Sequence, residues 1–131
     1  MWGRATMISG MNHFTITAED RGRTLDFYCG LLGLTEGPRP DLGFPGAWLH
    51  AGGTTAVLHI YWDRPMPSQR TGVIDHLAFS ASGLKEVKAR FDARGLKYDL
   101  RQQIGSGTWQ LFTYDPNGAK VELDFDASES L

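Results

Sequence analysis

Asn12-His13-Phe14-Thr15-Ile16-Thr17-Ala18 and Asp75-His76-Leu77-Ala78-Phe79-Ser80-Ala81 lie 63 residues apart, and set one above the other they align histidine on histidine and alanine on alanine. Both alternate in period two, as half-buried strands do. Each leads into apolar residues at helical spacing, Leu25, Tyr28, Leu31 and Leu32 in the first copy and Leu84, Val87 and Phe91 in the second. Gly33-Leu34 and Gly95-Leu96 follow, the pair expected at a left-handed helix C-terminus. Three short strands are then expected in each copy. In the first they lie near Thr35-Gly37, Ala47-His50 and Ala56-Trp62; in the second, near Tyr98-Gln103, Thr108-Tyr114 and Ala119-Asp126. Gly46-Ala47-Trp48 aligns with Gly107-Thr108-Trp109, and Val57-Leu58-His59-Ile60 with Lys120-Val121-Glu122-Leu123. The sequence therefore reads as an α+β fold made of two βαβββ modules. Their strands form a curled mixed sheet around a metal-binding cup, with the helices outside. Residues 1–10 read as an N-terminal tail and 11–126 as one domain, with module one at 11–62, a linker rich in turn formers at 63–72, and module two at 73–126. Residues 127–131 read as a C-terminal tail.

Strand alternation sorts the side chains. Leu58, Ile60 and Trp62 share a face, as do Val121, Leu123 and Phe125, and these apolar faces are expected against the helices. His13, His59, His76 and Glu122 then all fall on the opposite face. Imidazole nitrogen and carboxylate oxygen are ligands that Fe, Mn, Ni, Co and Zn accept. One divalent metal ion is therefore expected, held by His13, His76 and Glu122. His59 reads either as a fourth ligand or as an acid/base beside it. Trp48, Trp109 and Phe112 are the expected pocket wall, and Trp62 is expected in the core. Arg39, Arg64, Arg70 and Arg101 lie in or beside expected loops, where one could fork onto a substrate carboxylate.

The composition excludes several classes. The chain has 131 residues, 41% hydrophobic and 21% charged, as a soluble globular protein has. Its formal net charge of -2 offers no basic footprint for nucleic acid. No apolar run is long enough to span a membrane. Cys29 is the single cysteine, so neither an internal disulfide nor a Cys-rich zinc site is available. The first residues lack the apolar stretch of a secretory signal, and a cytoplasmic location is expected.

Asn12-His13-Phe14, Phe27-Tyr28 with Leu32-Gly33-Leu34, Asp75-His76-Leu77-Ala78-Phe79 and Tyr114-Asp115-Pro116-Asn117-Gly118 running into Val121-Glu122-Leu123 together resemble the vicinal oxygen chelate superfamily. It groups glyoxalase I, bleomycin-resistance proteins, fosfomycin-resistance transferases and extradiol dioxygenases. The resemblance implies paired βαβββ modules around a metal, with His13, His76 and Glu122 at the ligand positions of strands one, five and eight. His59 stands where glyoxalase I enzymes carry a glutamate. Phe112 stands where extradiol dioxygenases carry a tyrosine. The activity implied is a glyoxalase-like, metal-dependent lyase or isomerase step on vicinal oxygens of a small molecule, with Glu122 or His59 moving the proton. A ring-cleaving dioxygenase, or a metal-free binding protein of the bleomycin-resistance type, is the alternative. Members are often homodimers, and the open edges of four-stranded modules make a homodimer the expected state.

Overall fold

The computed structural model describes residues 7–131. The expected N-terminal tail falls, for its first six residues, outside the described residues; 7–10 carry no helix or strand. Module one consists of β1 (Phe14–Thr17), α1 (Arg21–Leu25), β2 (Thr35–Glu36), β3 (Gly46–His50) and β4 (Ala56–Tyr61). Module two repeats this with β5 (Leu77–Ser80), α2 (Leu84–Ala93), β6 (Asp99–Gln102), β7 (Trp109–Tyr114) and β8 (Lys120–Phe125). The strands form two mixed four-stranded sheets, ordered β1-β4-β3-β2 and β5-β8-β7-β6. In each, the first strand runs parallel to the fourth, and the remaining pairs are antiparallel.

The register carries the repeat into three dimensions. Phe14 pairs with Leu58 and Leu77 with Val121, so both members of the pair shift by the same 63 residues. The antiparallel pairs correct one alignment. Trp48 lies opposite His59, but the residue opposite Glu122 is Phe112; Trp109 lies opposite Phe125. Trp48 and Phe112 are thus the structural counterparts. The Gly-x-Trp match misled because its three-residue error is odd, and an odd shift turns a strand side chain to the other face.

The core lies on the helix side of both sheets, where Ile16, Leu49, Leu58, Ile60, Leu111, Val121, Leu123 and Phe125 are buried with Tyr28, Leu31 and Phe91. Trp62 is buried there as expected. The first helix departs from a simple α pattern: after Leu25 it widens into a π-helical segment, Asp26–Leu31, which buries Phe27, Tyr28 and Leu31. Gly33 and Gly95 both adopt positive φ, and Leu34 N–H and Leu96 N–H reach back to the carbonyls of Tyr28 and Phe91. The residues read as a C-terminal tail are tied down. The Glu129 carboxylate accepts from the N–H groups of Gly83 and Leu84, and the Glu129 carbonyl accepts from the Trp109 indole N–H.

Tyr114-Asp115-Pro116-Asn117-Gly118 joins the modules. Asp115 Oδ1 accepts from the N–H groups of Asn117 and Ala119, closing the turn, while Gly118 supplies the positive φ. The shaped turn then docks on the first helix region. Tyr28 Oη donates to Asp115 Oδ2 at 2.6 Å, Asn117 Nδ2 donates to Thr24 Oγ1, and Asn117 Oδ1 accepts from Glu19 N–H. Burial, together with the Asp115 carboxylate, pushes the Tyr28 phenol far above its ordinary range. No helix of the described residues is long and apolar enough to cross a membrane.

Candidate functional site

Each sheet leaves its second face free of helix, and each such face carries half of the expected ligand set. On the first sheet, His13 immediately precedes β1 and His59 lies on β4. Their rings stack at 3.7 Å with planes 9° apart, and Trp48 stacks on the other face of His59 at 4.4 Å. His59 is therefore the middle layer of a three-ring stack. Burial lowers its pKa, and the neighbouring His13, Arg39 and His50 lower it further, so the ring is held neutral. His13 Nδ1–H donates to Asn12 Oδ1 at 2.7 Å, which leaves Nε2 with its lone pair. His50, two residues beyond Trp48, lines a separate cavity of about 590 Å³ with Gly37, Pro38 and Thr54.

On the second sheet, His76 immediately precedes β5 and Glu122 lies on β8. His76 Nδ1 bonds to Asp75 Oδ2 at 2.8 Å, and Nε2 lies 2.9 Å from Glu122 Oε1. Gln110 Nε2 donates to Glu122 Oε2 at 3.1 Å. Glu122 is only 5% exposed, and a carboxylate so buried must have partners. Asp124, two residues on along β8, is the third. Its Oδ1 is buried with no hydrogen-bond partner. Burial and the adjacent Glu122 carboxylate raise Asp124 to about 6. Burial also acts to raise Glu122, but hydrogen bonds from Asp124 and Gln110 and the charge of His76 outweigh it, and its pKa falls below the ordinary value. Below about pH 6 the two carboxyls therefore hold one proton between them, on Asp124. The Phe112 ring meets His76 edge-on at 6.0 Å, with Arg101 and Lys120 over its face.

The structure brings the expected residues together in two pairs, His13 with His59 and His76 with Glu122. Among the described residues no group of three or more His, Cys, Asp and Glu side chains is close enough to hold an ion. His13 and His76 line one cavity of about 900 Å³ between the two modules. Trp48 and Phe112 are on the cup faces. Trp109 is on the other face, packed against the core beside Leu111. Sequence reading assigned no role to Asn12 and Asp75. They occupy the same repeat position, and each holds the Nδ1 of the histidine that follows it. Their place in front of the aligned histidines was the available signal.

A sequence profile of the Glyoxalase/Bleomycin resistance protein/Dioxygenase superfamily matches residues 10–123. The chain belongs to this superfamily. It is 25% identical to Glyoxylase I 4 of Arabidopsis thaliana over 127 residues, covering 92% of this chain and 73% of that protein. A glyoxalase family protein of Bacillus anthracis superposes with a TM-score of 0.75 at 20% identity, covering 94% of this chain and 99% of that one. The fosfomycin resistance protein FosX of Listeria monocytogenes superposes at 0.70 and 20% identity, covering 91% and 94%. At that identity the likeness is one of fold. Members of the superfamily typically use a divalent metal, and the donors present in this glyoxalase-superfamily chain fit one. Two ligand atoms about 2.1 Å from a cation and at right angles to each other are about 3.0 Å apart. His76 Nε2 and Glu122 Oε1 are 2.9 Å apart, in direct ion-pair contact, and a cation would take the place of that contact at a similar separation. A histidine that ligates through Nε2 usually gives its Nδ1–H to a carboxylate or carbonyl, as His13 and His76 do to Asn12 and Asp75.

Proposed function

We propose that this chain is a metal-dependent enzyme of the glyoxalase type, which chelates two adjacent oxygens of a small molecule and moves a carbon-bound proton. The observation that carries the reading is the His76–Glu122 pair, oriented by Asp75 and Gln110 at a spacing suited to one cation. His13, His76 and Glu122 would hold the ion, which supplies Lewis-acid stabilisation of the negative charge that develops on the substrate oxygens. His59 is proposed as the base. In its stack with His13 the two ring planes are nearly parallel, so their in-plane lone pairs do not converge on one ion. A neutral imidazole clamped between Trp48 and His13 is instead suited to accept a proton at a fixed position. Phe112 in place of a phenol removes a donor that ring cleavage would use, which supports proton transfer over the dioxygenase reading.

The active form is proposed to be a homodimer in which module one of one copy faces module two of the other. Three features support this. The ligand pairs lie on separate sheets of one chain. Neither β1 nor β5 has a second strand neighbour. Met11, Val73 and Ile74 are exposed beside the two histidine-bearing strand starts.

Elemental analysis after loading with Fe, Mn, Co, Ni or Zn tests the metal. One equivalent per chain is expected for the wild type and for His59→Ala, and less than a tenth of that for His13→Ala, His76→Ala and Glu122→Ala. Unchanged metal content in the His76→Ala protein rejects the proposal.

A further inference from the structure

Arg39 and Arg64 both lie against Phe44, beside the cup face of the first sheet and one side-chain step along from Trp48 and His59. Trp48 and Gly46 are two residues apart on β3, and the residues opposite them on β4 are His59 and Tyr61. The Arg39 guanidinium lies against Gly46. A Cβ there would come within 2.9 Å of Nη2 and 3.0 Å of Cζ, so the absence of a side chain makes the seat. Phe44 gathers both arginines. Arg39 Cζ is 5.0 Å from its ring centroid and Arg64 Cζ 4.9 Å, while Arg64 also lies 4.1 Å over the Tyr61 ring. Phe44 and Tyr61 are themselves packed edge to face at 5.4 Å.

Two guanidinium groups at most about 10 Å apart repel each other weakly through water and more strongly where they are buried, and an anion between them would turn that repulsion into attraction. Among the described residues none is supplied: Arg21, Arg70, Arg90 and Arg94 each pair with a carboxylate, and Arg39 and Arg64, like Arg23 and Arg101, do not. Arg39 Nη2 is buried with no hydrogen-bond partner at all. Two aromatic faces hold the cations in place, and Asp63, the carboxylate next to Arg64 in the sequence, is taken by Arg21.

We propose that Arg39 and Arg64 hold an oxyanionic group, carboxylate or phosphate, of the molecule that occupies the cup. One side-chain step along a strand is about 7 Å. The substrate is thus a small anion whose charged end lies about that distance from the atoms held beside His59. Recognition is by charge and by the fork of the guanidinium, against an aromatic wall of Phe44, Tyr61 and Trp48. This inference rests on the proposed function for the identity of the cup as the site, but its test does not involve a metal.

Metal-free protein is titrated calorimetrically with benzoate, phenyl phosphate and benzyl alcohol, three probes of similar size of which the last is neutral. At least one anion is expected to bind ten times more tightly than benzyl alcohol, and the better of the two names the group. Arg39→Met and Arg64→Met are each expected to lose that tenfold preference while keeping wild-type benzyl alcohol binding and metal content; Arg23→Met keeps the preference. Arg64 is exposed, so its variant remains informative if Arg39→Met fails to fold. Equal binding of all three probes by the wild type, or an anion preference that survives both substitutions, overturns the inference. Loss of metal uptake with the preference intact overturns the metal reading alone.

Discussion

Asp124 shows how one side chain can set the acid–base state of its neighbours. Burial and the neighbouring Glu122 disfavour its charge and push its carboxyl up to about 6, against an ordinary 3.8. In the metal-free protein the folded state therefore holds a proton between about pH 4 and pH 6 that the unfolded chain has released. The sign follows directly: the contribution favours folding at low pH and is lost as pH rises through about 6. Urea melts of wild-type and Asp124→Asn protein at pH 4.5 and 7 are expected to differ accordingly. The wild type loses stability relative to the variant on going to the higher pH, and an unchanged difference would remove the shared proton. Residue identity at this site was legible in the sequence, because alternation alone puts His13, His59, His76 and Glu122 on one face. Asp124 shares that face by the same rule and was legible in principle. Arg39 was legible only as one of four loop arginines that could meet a carboxylate; its seat over Gly46 was not, because the sequence does not fix the path of its loop.

Elements were legible where a local pattern sets them. Two strand–helix units, eight strands and both glycine C-caps follow from periodicity and from the one residue type that tolerates positive φ. What acts across distance was hidden. The N-terminus of α2 has Gly83 as its cap residue and no side-chain bond from that position. Glu129 supplies the missing acceptor from 45 residues away, with Oε1 2.7 Å from Leu84 N. A carboxylate at this end of a helix meets both free N–H groups and the positive end of the dipole. Glu129→Ala is expected to cost about 1–2 kcal/mol, the usual cost of losing an N-cap. Thermal melts at fixed pH measure it, and a change under a few tenths of a kcal/mol would mean that water replaces the carboxylate at no loss. The π-helical segment was invisible for a similar reason. Leu25, Tyr28, Leu31 and Leu32 satisfy an α spacing equally well, and the contact that Tyr28 makes from the wider turn, with Asp115, is 87 residues away.

At the scale of the molecule, the two modules are fastened on their helix side, by Tyr28 and Thr24 against Asp115 and Asn117, while their cup faces each carry an incomplete ligand set. The repeat could not reveal this. It relates the modules to each other but does not say whether the face of one is completed by its own chain or by another. A symmetric pair of chains is the closed arrangement that completes both faces at once. It makes a prediction that single-site substitutions cannot. His13→Ala removes a ligand from module one and His76→Ala one from module two, so neither homodimer has an intact site. When the two variants are unfolded together and refolded as a mixture, half of the dimers are mixed. In each mixed dimer, one site combines the intact module one of one chain with the intact module two of the other. About a quarter of the wild-type metal content should therefore return, if subunits combine at random. If each chain builds its own site, the mixture stays as empty as its parents. The helix-side fastening is untouched in both variants, so circular dichroism should show the same fold in the parents and the mixture. Restored metal would then report the pairing of chains and not a repaired fold.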